Sequence, residues 1–192
     1  MGEAFFDGDS YAVSLNDVSA SACFDGVRVP TLDSICSGGD CRGVVVLVDG
    51  AGAVLLGSKE AGAKHGLKPR AKIRAFANIG SEPAMMLTGP VDVTEKLFER
   101  SGMKKSDIDL FELNEAFAAQ ALAVLRDLGL PDDAARVNPN GGGIAIGHPL
   151  GMSGARLVTT AVNQLHRTGG RYGLCTMCIG VGQGIAMIVE RV

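Results

Sequence analysis

Three side chains stand in settings suited to moving a proton or to orienting the groups that do. His148 lies on the stretch NPNGGGIAIGHPLGMSGAR, residues 138–156, which is dense in glycine and leads into a helical pattern. Gly141, Gly142, Gly143 and Gly147 let backbone approach a neighbour closely, and Pro149 fixes the exit. A neutral imidazole can take up and return a proton near neutral pH. Taken alone, His148 reads also as a packed or surface histidine. Cys178 ends the strand-like run RYGLCTMCIG and is followed by IGVGQG. It is either a buried structural thiol or a thiol held at a strand end, where glycine amides can bind an oxyanion. Asn114 opens NEAFAAQALAVLRDLG. It either caps that helix or orients a water or a carbonyl from the helix N-terminus.

These residues need a scaffold, and the pattern from Gly43 onward supplies one. GVVVLV and GAVLLG are continuous apolar runs, as in a strand buried on both faces. GSKEAGAKHG reads as a short helix ending at Gly66. AKIRAFA reads as a strand, with Ile73, Ala75 and Ala77 alternating against Lys72, Arg74 and Phe76. Asp92 to Gly102 is helical in pattern, with Val93, Leu97 and Phe98 on one face. DIDLFEL is a strand. The helix from Asn114, its presumed N-cap, carries Phe117, Ala121, Val124, Leu125 and Leu128 on one face and stops at Gly129 and Pro131. MSGARLVTTAVNQLHRTGG is a helix striped by Leu157, Val158, Ala161, Val162 and Leu165. RYGLCTMCIG and GQGIAMIVERV close the chain as two strands, in hairpin order. The alternation predicts an α/β fold, a mixed five-stranded sheet covered by helices.

The bulk properties exclude several classes of function. The chain has 192 residues, 46% of them apolar, enough for one domain with a core and not for a disordered tail. Glycine, 27 residues, stands at about twice the usual ~7% and falls between apolar segments, as in tight turns. A net charge of -3 with scattered Lys and Arg leaves no footprint for nucleic acid. The opening MGEAFFDGD is acidic, opposite to a signal peptide, and GVVVLVDGAGAVLLG is too short and too interrupted to span a membrane. The expectation is a soluble, cytoplasmic protein. Five cysteines, an odd count, point to free thiols. Zinc binding by CTMC with CSGGDC is disfavoured, because Cys175 and Cys178 point to opposite faces of a strand; no metal is expected. Residues 1–43 carry short β-prone scraps such as YAVSL and no sustained helical period.

Three segments in fixed order, ELNEAFAAQA, NPNGGGIAIGHPLGMSGARL and LCTMCIGVGQGIAMIVER, resemble the C-terminal half of a thiolase. The resemblance runs from about Asp49 to Val192, and DGAGAVLLGSKEAGAKHGLKP is similar to the end of a thiolase N-terminal half. It implies three parts: a divergent lead-in over 1–43, a remnant of the N-terminal domain over 44–70, and a thiolase C-terminal domain over 71–192. It also implies the thiolase reaction, in which two coenzyme A esters condense or a 3-ketoacyl-CoA is cleaved by free coenzyme A. Coenzyme A thioesters are then substrates, and no cofactor is permanently bound. On this resemblance His148 activates the nucleophilic cysteine and holds a thioester oxygen. Asn114 positions a water in the same oxyanion hole. Cys178 moves the α-proton, and the Gly180 amide serves a second oxyanion hole. Met86 and Phe117 match positions that line the acyl pocket.

The family's nucleophilic cysteine belongs to an N-terminal half that the resemblance does not cover. Cys36, in CSGG, resembles that segment only superficially, standing thirteen residues before Asp49. Two functions therefore compete. One is an acyltransferase completed by a second polypeptide or by oligomerisation. The other is a truncated, non-catalytic thiolase-fold protein acting as a binding or partner subunit. The packing of one half on the other in the family predicts an exposed apolar face and self-association or capture of a partner.

Overall fold

The computed structural model describes residues 10–13 and 49–192. Its centre is a sheet of six strands in the order β2-β1-β3-β6-β5-β4. The strands are β1 (Ser10–Val13), β2 (Leu55–Ser58), β3 (Ala71–Gly80), β4 (Leu110–Leu113), β5 (Tyr172–Ile179) and β6 (Gln183–Arg191). The β4–β5 pair is parallel and the others are antiparallel, so the sheet is mixed, as expected. It has one strand more than the five expected. The addition is β1, within the scrap YAVSL, which is too short to carry a period of its own.

Helices cover both faces. α1 (Lys59–Lys64) starts where the Ser58 hydroxyl accepts the Ala61 N–H at 3.2 Å, a side-chain N-cap. α2 (Gly89–Ser101) has Pro90 in its first turn and ends at Gly102, whose φ of 67° suits a residue without Cβ. α3 (Ala118–Asp127) and α2 bury Ala121, Val124, Leu125, Val93 and Leu97 against Phe111, Leu113, Leu174, Ala186 and Ile188. On the opposite face α5 (Ser153–Thr168) buries Leu157, Ala161, Val162 and Leu165 against Ala71, Leu110, Cys175 and Val189. The apolar stripe read from the sequence of α5 is the stripe that packs.

Three expectations need correction. The alternation in AKIRAFA is broken: Ile73 pairs with Val189 but Ala75 pairs with Ile188, so Arg74 forms a bulge. Ala71, before the bulge, packs on the α5 side, while Ala77, beyond it, packs on the α2 side. One extra residue transfers the buried set from one face to the other, which no simple period-two reading can register. Second, β2 is exposed along its length, with Leu56 55% accessible, where burial on both faces was expected. It is the outer strand of the sheet, paired on one side with β1, and among the described residues α1 is the helix that packs beside it. GVVVLV, read with it, lies outside the described residues. Third, Asn114 does not cap α3. The helix begins four residues later, with Phe117 in the N-cap position.

Candidate active site

β4 and β5 are parallel, so their carboxyl ends lie side by side, the edge at which open α/β sheets present their ligands. Asn114 is the first residue past β4, its N–H bonded to the Thr176 carbonyl at 3.0 Å. Cys178 lies two residues beyond Thr176, paired with Gly184 at the end of β5. The loop after α4 (Gly143–Ile146) delivers His148 to the same edge: Asn114 Nδ2 stands 3.2 Å from His148 Nε2, with both residues buried.

The other ring nitrogen fixes the tautomer. The Ser153 hydroxyl donates to the Pro149 carbonyl at 3.0 Å and so accepts from His148 Nδ1–H at 2.5 Å. The lone pair then sits on Nε2, facing the Asn114 amide. Burial, and then the nearby Arg156 charge, lower the imidazole's basicity. The resting ring is therefore neutral with an available lone pair, the state a general base requires. Asn114 Oδ1 is buried with no hydrogen-bond partner among the described residues.

The glycines of 141–147 have an identifiable purpose. A Cβ on Gly142 would lie 2.1 Å from the Glu115 carboxyl carbon, and one on Gly143 would lie 3.0 Å from the Glu115 carbonyl oxygen. The loop thus closes on the ELNE segment itself. Glu115 accepts the Ile144 N–H at 3.0 Å and an Asn138 amide N–H at 2.7 Å. Asn138, at φ 44°, pairs its side-chain amide with both backbone groups of Leu113, at 2.9 and 2.8 Å. Asn138 and Glu115 fasten the histidine loop to the end of β4. Sequence reading missed both as site residues, and missed Ser153 with them. Their signal was present, since polar side chains that flank a glycine run and a strand end need partners when the loop packs down.

Cys178 is partly exposed, and burial pushes its thiol up, so it rests protonated. Cys175, fully enclosed against α5, is pushed far higher and is inert. Gly180 lies in the β5–β6 turn, its carbonyl accepting Gln183 Nε2 at 3.2 Å. That turn is the hairpin expected from the sequence, and Gly182 in it packs on the backbone of Ser81 to Pro83. Phe117, 51% exposed, lines an apolar groove of about 490 Å³ with Met85, Leu87, Val91 and Val124. Met86, at φ 50°, lies on the same loop, but its neighbours Met85 and Leu87 line the groove in its place. Cys36, Cys23 and Cys41 lie outside the described residues.

The architecture and this edge define a domain of thiolase type, and the comparisons agree. The family model described as thiolase, C-terminal domain, matches residues 67–191. The chain belongs to the thiolase family. It is 58% identical over 168 residues to a 3-oxoadipyl-CoA/3-oxo-5,6-dehydrosuberyl-CoA thiolase of Escherichia coli, covering 87% of this chain and 41% of that protein. It is 53% identical over 191 residues to a β-ketoadipyl-CoA thiolase of Pseudomonas knackmussii, covering 100% of this chain and 46% of that protein. Among solved structures, human mitochondrial 3-ketoacyl-CoA thiolase superposes with a TM-score of 0.75 at 43% identity, over 78% of this chain and 38% of that one. The chain thus spans less than half the length of these relatives. The Pseudomonas alignment runs through residues 1–43 as well. No helix among the described residues is long and apolar enough to cross a membrane.

Proposed function

We propose that this chain carries the acid–base portion of a thiolase site and acts on coenzyme A thioesters. The observation that carries the reading is the Asn114–His148–Ser153 chain of hydrogen bonds, at the strand edge that also holds Cys178. Claisen chemistry needs a base beside an acidic carbon and donors for the enolate oxygen. Here Cys178 exchanges the α-proton, and the Gly180 amide faces the enolate oxygen. His148 takes the proton of the nucleophilic thiol and, with a water on Asn114, holds the thioester oxygen. Phe117 and the loop carrying Met86 form one wall of the acyl site.

One sulfur cannot carry the acyl group and remove the α-proton at the same time, so a second cysteine is required. It belongs to an N-terminal thiolase half, whether on this polypeptide or on another, or, less directly, is Cys36. In this reading 1–43 leads in, 44–70 ends an N-terminal domain, and 71–192 is the C-terminal domain. The chain works as an oligomer or with that partner. The named substrate of the relatives makes 3-oxoadipyl-CoA the first compound to try, with acetoacetyl-CoA beside it.

The test is thiolytic cleavage of both by the purified chain, alone and mixed with the N-terminal half of a relative, with His148→Ala in parallel. Cleavage that depends on His148 is expected in the mixture. Cleavage by the chain alone would place the nucleophile within these residues, with Cys36 the first to replace. No cleavage in either case, with the substrate bound, would overturn the reading in favour of a non-catalytic binding subunit.

A further inference from the structure

The two hydrogen bonds on the imidazole come from different elements. Asn114 stands at the end of β4, and Ser153 in the first turn of α5. A buried ion pair joins the same two elements a short way behind them: Arg156 Nη1 donates to Glu112 Oε2 at 3.1 Å, with the Glu112 side chain fully buried and that of Arg156 10% exposed. Glu112 precedes Asn114 by two residues, which places both on one side of the strand. Arg156 follows Ser153 by three, which places both on one side of the helix. Glu112, Asn114, His148, Ser153 and Arg156 therefore form a closed ring of covalent and polar links.

We propose that Glu112 and Arg156 are a positioning pair for His148, setting from behind which ring nitrogen faces Ser153 and which faces Asn114. The proposal rests on reading His148 as the reactive imidazole. A buried ion pair adds little net stability over an apolar pair of the same volume, so packing alone does not account for it. The pair is also incompletely satisfied: Glu112 Oε1 and Arg156 Nη2 are buried without partners among the described residues. Its surroundings are charged and titratable. Glu112 faces Arg156 from α5, Cys175 from β5 and Glu115 just beyond its own strand. Arg156 in turn depresses the basicity of His148. Burial raises the Glu112 carboxyl to about 7, against the pull of Arg156, so the ring changes charge near neutral pH.

The test is nitrogen NMR of the full chain with labelled histidine, which distinguishes a protonated from a bare ring nitrogen and follows the His148 titration. Wild type is expected to hold the proton on Nδ1. Glu112→Gln keeps the side-chain shape and removes the counter-charge of Arg156. It is expected to shift the tautomer ratio, read above pH 8 where the wild-type Glu112 is ionised, by about threefold or more toward Nε2–H. Arg156→Lys keeps the charge without the fork, and is expected to move the ratio in the same direction by less. Should Glu112→Gln fail to fold, the lysine variant and a second inflection near neutral pH in the wild-type His148 signals carry the test. Folded variants with the wild-type tautomer ratio above pH 8, or a single-inflection wild-type curve beside an unshifted Arg156→Lys, would overturn the proposal. The readout needs no turnover. A chain that cleaves no ketoacyl-CoA but shows these shifts refutes the proposed function and leaves the positioning role standing.

Discussion

The two faces of the sheet are built on different terms. Against α2 and α3 the buried set is uncharged and, apart from Thr94 and Gln120, apolar: Leu97, Val124, Phe111, Leu174 and Ile188 fill it. Against α5 the same kind of packing, from Leu157 to Val189, is interrupted toward the carboxyl ends of the strands by Glu112 and Arg156. The first face is held by removing apolar area from water, which is insensitive to pH. The second holds charge in a dry place, which costs desolvation free energy and ties that region to pH. The charged side is the one that carries Asn114 and Ser153, the hydrogen-bond partners of His148.

The comparison is most sharply broken on the α5 side. Arg156→Met leaves Glu112 buried and unpaired, and is expected to cost about 3–5 kcal/mol in denaturant melts above pH 8, less where Glu112 can protonate. Leu97→Ala, on the apolar face, is expected to cost about 2–5 kcal/mol with the same value at pH 5 and pH 8. Glu112→Gln separates the faces by slope. The folded-state pKa of Glu112 is raised from 4.5 to about 7, so its contribution is fully present below 4.5 and is lost as pH rises through 7. Wild type minus variant should therefore lose about 3 kcal/mol of stability between those limits. His148, whose pKa is lowered, acts in the opposite sense. The smallest effect lies away from both faces. Val181, a β-branched residue at φ 64° in the β5–β6 turn, is strained, and Val181→Gly should raise stability by about 1 kcal/mol in a thermal melt.

The sequence shows the α2/α3 face and the α5 stripe plainly, because period 3.6 and apolar composition are local signals. It also marks Asn114, His148 and Cys178, which the topology brings to one strand edge. What it conceals depends on contacts distant in the chain. Arg74 becomes a bulge only when β3 is laid against β6. Glu115 looks like a helix-dipole residue until the glycines of 141–143 close over it. Asn114 looks like a cap because its own helix is near in sequence, whereas its partner is 34 residues away. Glu112 alternates correctly in β4 yet points its charge into the interior, where only Arg156, 44 residues on, makes it tolerable.

The claim that this strand edge performs acid–base chemistry on a thioester can be examined without any nucleophile. In D2O, the purified chain should catalyse deuterium entry at the α-carbon of acetyl-CoA, read by mass spectrometry, and Cys178→Ala should abolish it. Exchange at the uncatalysed rate with acetyl-CoA bound, or exchange that survives the loss of Cys178, would contradict the account.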